Sequence, residues 1–167
     1  KYFVITTKHH EGFCLWDSDL TDYKSTNTPC GEDLLTPMVQ AFEDCGLRTG
    51  FYHSIIDWHH PEFVIDRVHS MRNHPDREEL NKDRDQMKYA DYLHGQVREL
   101  LTRYDPDILW CDFSYPGEDG KGREDWRSEE LYDMIRELQP DIVLNDRLDL
   151  DEGWDIKTPE QYQPRAW

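Results

Sequence analysis

Tyr2-Phe3-Val4-Ile5-Thr6 runs straight into Thr7-Lys8-His9-His10-Glu11-Gly12-Phe13, so a short apolar run ends on two adjacent imidazoles and a glycine. The same form recurs at Arg48-Thr49-Gly50-Phe51-Tyr52-His53-Ser54-Ile55, Asp107-Ile108-Leu109-Trp110-Cys111 and Asp141-Ile142-Val143-Leu144. A strand with one wet face alternates between apolar and polar residues. None of these runs alternates cleanly, which is the pattern of strands covered on both faces, as in a parallel sheet flanked by helices.

Helical periodicities fill the gaps. Residues 33–45 place Leu34, Leu35, Met38, Val39 and Phe42 at spacings of three and four, and Gly46 follows as a C-terminal cap. Residues 77–104 are heavily charged but carry Met87, Tyr89, Tyr92, Leu93, Val97, Leu100 and Leu101 on one stripe. Residues 128–138 set Leu131, Met134, Ile135 and Leu138 in register, with Pro140 closing the run. Strand and helix alternating in this way predict an α/β fold, either a (β/α) barrel of TIM type or a doubly wound sheet. The segments 54–77 and 113–123 read as long loops after strands, the side of such folds that carries binding work. Trp154-Asp155-Ile156-Lys157-Thr158-Pro159-Glu160 reads as one more extended segment, because Pro159 biases Thr158 away from helix.

With 167 residues, 37% of them hydrophobic, the chain can bury a core of one domain or a piece of one. It opens inside a strand without Met and stops uncapped at Gln163-Pro164-Arg165-Ala166-Trp167. Residues 1–167 are therefore expected to be part of a catalytic domain, an incomplete barrel lacking N- and C-terminal portions. A net charge of -17, from 36 acidic against 19 basic residues, opposes nucleic acid and anionic membrane as partners. Six Trp and nine Tyr suit a protein that presents rings to a ligand such as a sugar. Cys14, Cys30, Cys45 and Cys111 lack zinc-motif spacing and read as free thiols. No run is long enough to span a membrane. Oligomeric state stays open, and cytoplasmic location is favoured over export.

The chemistry gathers at the predicted strand ends. Asp112 follows Ile108-Leu109-Trp110-Cys111, so the strand projects its carboxylate toward the mouth that holds His9 and His10. Alone, an Asp there would more often start a turn. Asn145-Asp146-Arg147 brings a fixed cation and a further carboxylate after the next strand, and Glu160 would emerge at the rim. Two carboxyl groups from separate strand ends, set among rings and imidazoles, are the equipment of a glycosidase; a retaining enzyme holds them about 5–5.5 Å apart.

Thr7-Lys8-His9-His10-Glu11-Gly12-Phe13-Cys14-Leu15-Trp16, Gly50-Phe51-Tyr52, Asp57-Trp58-His59-His60-Pro61, Asp107-Ile108-Leu109-Trp110-Cys111-Asp112, Asn145-Asp146-Arg147 and Thr158-Pro159-Glu160 together resemble the alpha-L-fucosidases of glycoside hydrolase family twenty-nine. The resemblance runs through nearly the whole chain in order. It implies a (β/α) barrel-like domain that removes terminal L-fucose from glycans or fucosides with retention, without cofactor or metal. It makes Asp112 the nucleophile and Glu160 the general acid/base. His9 and His10 resemble the pair that binds sugar hydroxyls, Tyr52 and Trp110 line the same pocket, Arg147 resembles the arginine of the sugar subsite, and Trp16 and Trp58 are further ring contacts. His53 departs from the pattern, standing where members often carry a second Tyr. In physical terms, Arg147 beside Asp112 would keep the nucleophile ionised while Glu160 stays protonated.

Two other readings compete. A metal-dependent hydrolase could use the eight His and many Asp, but as neighbours on a strand His9 and His10 are expected to point to opposite sides, and His-x-His and His-Glu-x-x-His motifs do not occur. A non-catalytic carbohydrate-binding protein would keep the rings and imidazoles without needing Asp112 and Glu160 together.

Overall fold

The computed structural model describes residues 1–159. Strand β1 (Tyr2–Lys8) leads through a long excursion, containing a single 3-10 turn at Ser25–Asn27, to helix α1 (Leu35–Asp44) and strand β2 (Arg48–Ser54). Helices α2 (Arg77–Asn81) and α3 (Gln86–Tyr104) precede strand β3 (Ile108–Asp112), and α4 (Arg123–Trp126) and α5 (Ser128–Leu138) precede strand β4 (Val143–Leu144). The described strands form one parallel sheet in the order β1-β2-β3-β4. Each strand pairs with its sequence neighbour, and the order never reverses as it does at the switch point of a doubly wound sheet.

Alternation along the strands separates two faces. Phe51, Leu109 and Cys111 are fully buried and share a core with Leu93, Val97, Leu100 and Leu101 of α3 and with Leu131 and Ile135 of α5. Each such side chain contributes roughly 1.5–3 kcal/mol through burial. The opposite face presents Val4, Tyr52, Ile108, Trp110 and Asp112, all half-exposed. The strands crowd one another on that face: a Cβ on Gly50 would lie 2.9 Å from Val4 Cγ2 and 3.0 Å from Ile108 Cβ, so glycine is required where β1, β2 and β3 meet.

The stretch 77–104 is two helices rather than one. Asp85 takes an extended backbone and its carboxylate accepts from the amides of Met87 and Lys88, a cap that starts α3 afresh. Just before the break, Asn81 uses both ends of its amide on the backbone of Ile65, tying α2 to the loop after β2. Gly46 caps α1 at φ +68°, as the sequence predicts. Strand β4 is short, and the Asn145 side chain carries on its pairing by donating to Cys111 O at 2.9 Å and accepting from Cys111 N at 3.1 Å. Residues 154–159 run beside it through a parallel bridge between Asn145 and Ile156. All four cysteines are free, Cys14 and Cys111 being buried.

Candidate active site

Parallel strands deliver their C-terminal ends to one side of the sheet, and register decides which side chains meet there. Tyr52 pairs with Trp110 and Ser54 with Asp112, so Tyr52, Trp110 and Asp112 share the half-open face. The Tyr52 hydroxyl donates to Asp112 Oδ2 at 2.6 Å, and Arg147 Nη1 stands 3.4 Å from Asp112 Oδ1. Burial, followed by the hydrogen bond and charge of Asp112, pushes the Tyr52 phenol well above its ordinary value, so it remains a proton donor to the carboxylate. Arg147 is itself steered by Thr158, giving Nε to its hydroxyl at 2.5 Å and Nη2 to its carbonyl at 3.1 Å. Thr158 in turn donates from its amide and hydroxyl to Asp146 Oδ1. Glu160 lies outside the described residues.

The imidazoles are not on opposite sides. Strand β1 ends at Lys8 with a register shift after Thr6, so His9 and His10 sit in the following turn with ring centroids 4.2 Å apart. His9 stacks on Tyr52 at 5.6 Å, while His10 meets Trp58 at 5.4 Å and Phe113 at 6.2 Å. Burial, then the neighbouring His9, lowers the His10 pKa against the opposing pull of Asp112, so its ring is neutral at pH 7. Its Nδ1 lies 2.6 Å from Ser54 Oγ, which donates to Ile56 O and accepts from Ile56 N. With the single hydroxyl proton of Ser54 given to Ile56, the hydrogen-bond network assigns the Nδ1–H tautomer to His10 and leaves Nε2 as the ring's acceptor. Among the described residues no group of three or more His, Cys, Asp or Glu side chains stands together as a metal site.

Trp16 is a correction. It is fully buried, donates from Nε1 to Glu99 Oε2 at 2.9 Å and packs edge-on to His53, placing it in the core between sheet and α3 rather than on the open face. Trp58 is half-exposed beside His10, and its amide donates to His10 O at 2.8 Å.

Ser54, Phe113, Lys8 and Asp57 join the site although the sequence does not single them out. Ser54 and Phe113 are legible in principle, the first two residues beyond Tyr52 on one strand face, the second directly after Asp112. Lys8 and Asp57 form a buried ion pair of 3.3 Å beneath the imidazoles. Asp57 Oδ1 also accepts from the amides of His59 and His60. Gly12, at φ +87°, lets the turn after His10 close over that carboxylate, because a Cβ there would fall 2.2 Å from Asp57 Oδ1. A separate groove lined by Tyr2, Arg48, Ile108, Val143 and Ile156 opens at the opposite ends of the strands and holds none of these groups.

The alpha-L-fucosidase family profile matches residues 1–167. An alpha-L-fucosidase of Dictyostelium discoideum is 28% identical over 152 residues, which cover 88% of this chain and 30% of that protein. Among solved structures, alpha-L-fucosidase isoenzyme 1 from Paenibacillus thiaminolyticus is 54% identical with a TM-score of 0.81, over 89% of this chain and 35% of that one. A Bacteroides thetaiotaomicron alpha-L-fucosidase trapped as a covalent intermediate with 2-fluoro-fucosyl fluoride is 31% identical with a TM-score of 0.71, over 89% and 32% of the two chains. This chain thus spans about a third of the length of the proteins it matches. Because the profile runs from first residue to last and the strand-end groups sit on a scaffold common to these structures, the chain belongs to the alpha-L-fucosidase family.

Proposed function

We propose that this chain forms part of the (β/α) barrel of a retaining exo-alpha-L-fucosidase acting on terminal fucose of glycans or simpler fucosides. The observation that carries the reading is the hold on Asp112: one oxygen receives the Tyr52 hydroxyl and the other faces Arg147, at the end of a strand in the same parallel sheet as β1, which leads into His9 and His10. A carboxylate that receives a phenol hydroxyl on one oxygen and faces a guanidinium with the other is held in one orientation, as a nucleophile requires. In the first step an Asp112 oxygen bonds to the anomeric carbon as the glycosidic C–O bond breaks, and Glu160 gives its proton to the leaving oxygen. In the second, water attacks the anomeric carbon, returns a proton to Glu160 and releases Asp112. The covalent intermediate trapped in the Bacteroides relative supports this double displacement. His9 and His10 would fix adjacent hydroxyls, and the half-exposed Trp110 would offer its face to the less polar side of a deoxy sugar.

The decisive experiment substitutes Asp112→Ala in the complete enzyme. Turnover of an aryl alpha-L-fucoside should vanish while fucose binding remains measurable, and turnover near the unsubstituted rate would refute the assignment. For Glu160→Ala, substrates with poor leaving groups should suffer most, and azide should restore part of the rate on an activated aryl fucoside.

A further inference from the structure

Beside the pocket lies a set of three rings, two exposed and one half-buried, that the reaction does not use. Tyr23 is 37% exposed and stacks on the exposed His59 at 4.1 Å, with the planes 20° apart. Phe13 meets Tyr23 edge-on at 5.2 Å. The three rings come from the excursion after β1 and the loop after β2, so they stand on the same side of the sheet as Asp112. Their mounting is rigid. His59 N is held by the buried Asp57 at 3.0 Å, and Tyr23 O accepts from Cys14 N at 3.1 Å beside a parallel bridge between Cys14 and Lys24. They also continue the ring series of the pocket: Tyr52, His9, His10 and Trp58 follow one another within 5.6 Å, and His59 is the next residue along the chain.

We infer that Tyr23, His59 and Phe13 form a platform for the sugar that carries the fucose, a leaving-group subsite for a neutral oligosaccharide. The inference rests on the fucosidase reading above. Rings held in water by fixed backbone contacts suit the C–H face of a pyranose, while the Tyr23 hydroxyl and His59 nitrogens offer hydrogen bonds to its hydroxyls. The exposed Glu11 and Asp22 nearby, in a chain of net charge -17, favour an uncharged glycan over an anionic one.

The test compares Tyr23→Ala/His59→Ala with the unsubstituted complete enzyme on two substrates. Fucosyl fluoride has no sugar leaving group and reports on the fucose pocket alone; a fucosylated lactose trisaccharide reports on both. The expected result is a fall of about three- to tenfold in kcat/KM for the trisaccharide, carried by KM, with fucosyl fluoride unchanged. Equal losses on both substrates, or none on either, would overturn the proposal, as would a change of oligomeric state without a trisaccharide effect. Saturation-transfer NMR with lactose separates this inference from the fucosidase reading. If the unsubstituted protein leaves fucosyl fluoride intact, that reading falls. A lactose signal that is present with the unsubstituted protein and disappears with the double variant still upholds the platform, and no signal with either protein ends it.

Discussion

Among the described residues, two buried lysine–aspartate pairs stand on the same side of the sheet, and they hold different things. Lys8 closes on Asp57 at 3.3 Å, donates to Gln96 Oε1 of α3 at 2.8 Å and lies 5.4 Å from the Tyr92 ring. It therefore ties a strand and a helix to the loop that carries Trp58 and His59. Lys121 closes on Asp66, donates to Val64 O at 2.7 Å and sits 4.2 Å over the Phe63 ring, while Tyr115 gives its hydroxyl to the same Asp66 oxygen at 2.6 Å. This second pair joins the loop after β2 to the loop after β3. Arg67 reinforces the junction by reaching Glu118 O at 2.6 Å and Tyr115 O at 3.0 Å. Burial alone would raise the Asp66 carboxyl, but the hydrogen bonds from Lys121 and Tyr115 outweigh it and leave the group below its ordinary value. The lesson concerns relaxation. A charge orphaned between a strand and a helix has no route to water, whereas one orphaned between two loops can reach water if the loops part.

The sharpest way to break the comparison is Lys8→Met. It leaves Asp57 buried and unpaired, and the expected loss is about 3–5 kcal/mol in denaturant unfolding of the complete protein. The same substitution at Lys121 should cost less, about 2 kcal/mol, because local opening offers an escape. Faster amide exchange confined to residues 55–76 and 113–122 would mark that opening, and uniform exchange would contradict it. Adding Asp66→Asn to Lys121→Met should return most of the loss, since Asn removes the orphaned charge yet can still accept from the Val68 and His69 amides.

Gly12→Ala sharpens the contrast by disturbing only the first pair. The added Cβ would collide with Asp57 at a positive φ, for an expected cost of about 1–3 kcal/mol. Gly46→Ala is the control: φ is +68° there too, but nothing lies within 4 Å of the added carbon, so only the backbone penalty of about 1 kcal/mol remains. Equal losses at the two positions would mean that Asp57 yields freely and is not the strut described.

Much of this architecture is legible in the order of residues alone. Strands covered on both faces announce themselves as unbroken apolar runs, and the four predicted runs all hold strands, with ends shifted by a residue or two. Helix α5 falls at its predicted bounds because Leu131, Met134, Ile135 and Leu138 repeat without interruption. The break between α2 and α3 is hidden, since Asp85 acts as a cap within a run where every residue is polar or charged. The imidazoles escape the alternation expected of strand neighbours because β1 ends at Lys8, a boundary that depends on the buried Lys8–Asp57 pair and so on a residue 49 positions away. Trp16 shows the limit of composition: a ring fits a sugar pocket and a core equally well, and only the Glu99 acceptor on α3 decides. Asp112, Tyr52 and Arg147 do come together as expected, because strand ends converge whatever the detail of the loops.

The last expected effect lies in acid. His69 is buried next to the second pair, where burial, then Arg84 and Lys121 against the pull of Asp66, lowers its pKa to about 4. In the unfolded chain the same ring titrates near 6.5, so between pH 6.5 and 4 the unfolded state binds a proton that the folded state refuses. Stability contributed by the neutral ring is complete above pH 6.5 and is lost on acidification, at up to about 1.4 kcal/mol per pH unit. Lys121→Met removes a cation from beside this ring while Asp66 remains, so the folded pKa of His69 should rise and the acid limb of the stability curve should become shallower. Lys8 is not among the principal groups that act on His69, so Lys8→Met should move its titration, followed by ring-proton NMR, less than Lys121→Met does. A His69 shift that answers to Lys8 and not to Lys121 would show that the two pairs do not divide this side of the sheet as their contacts indicate.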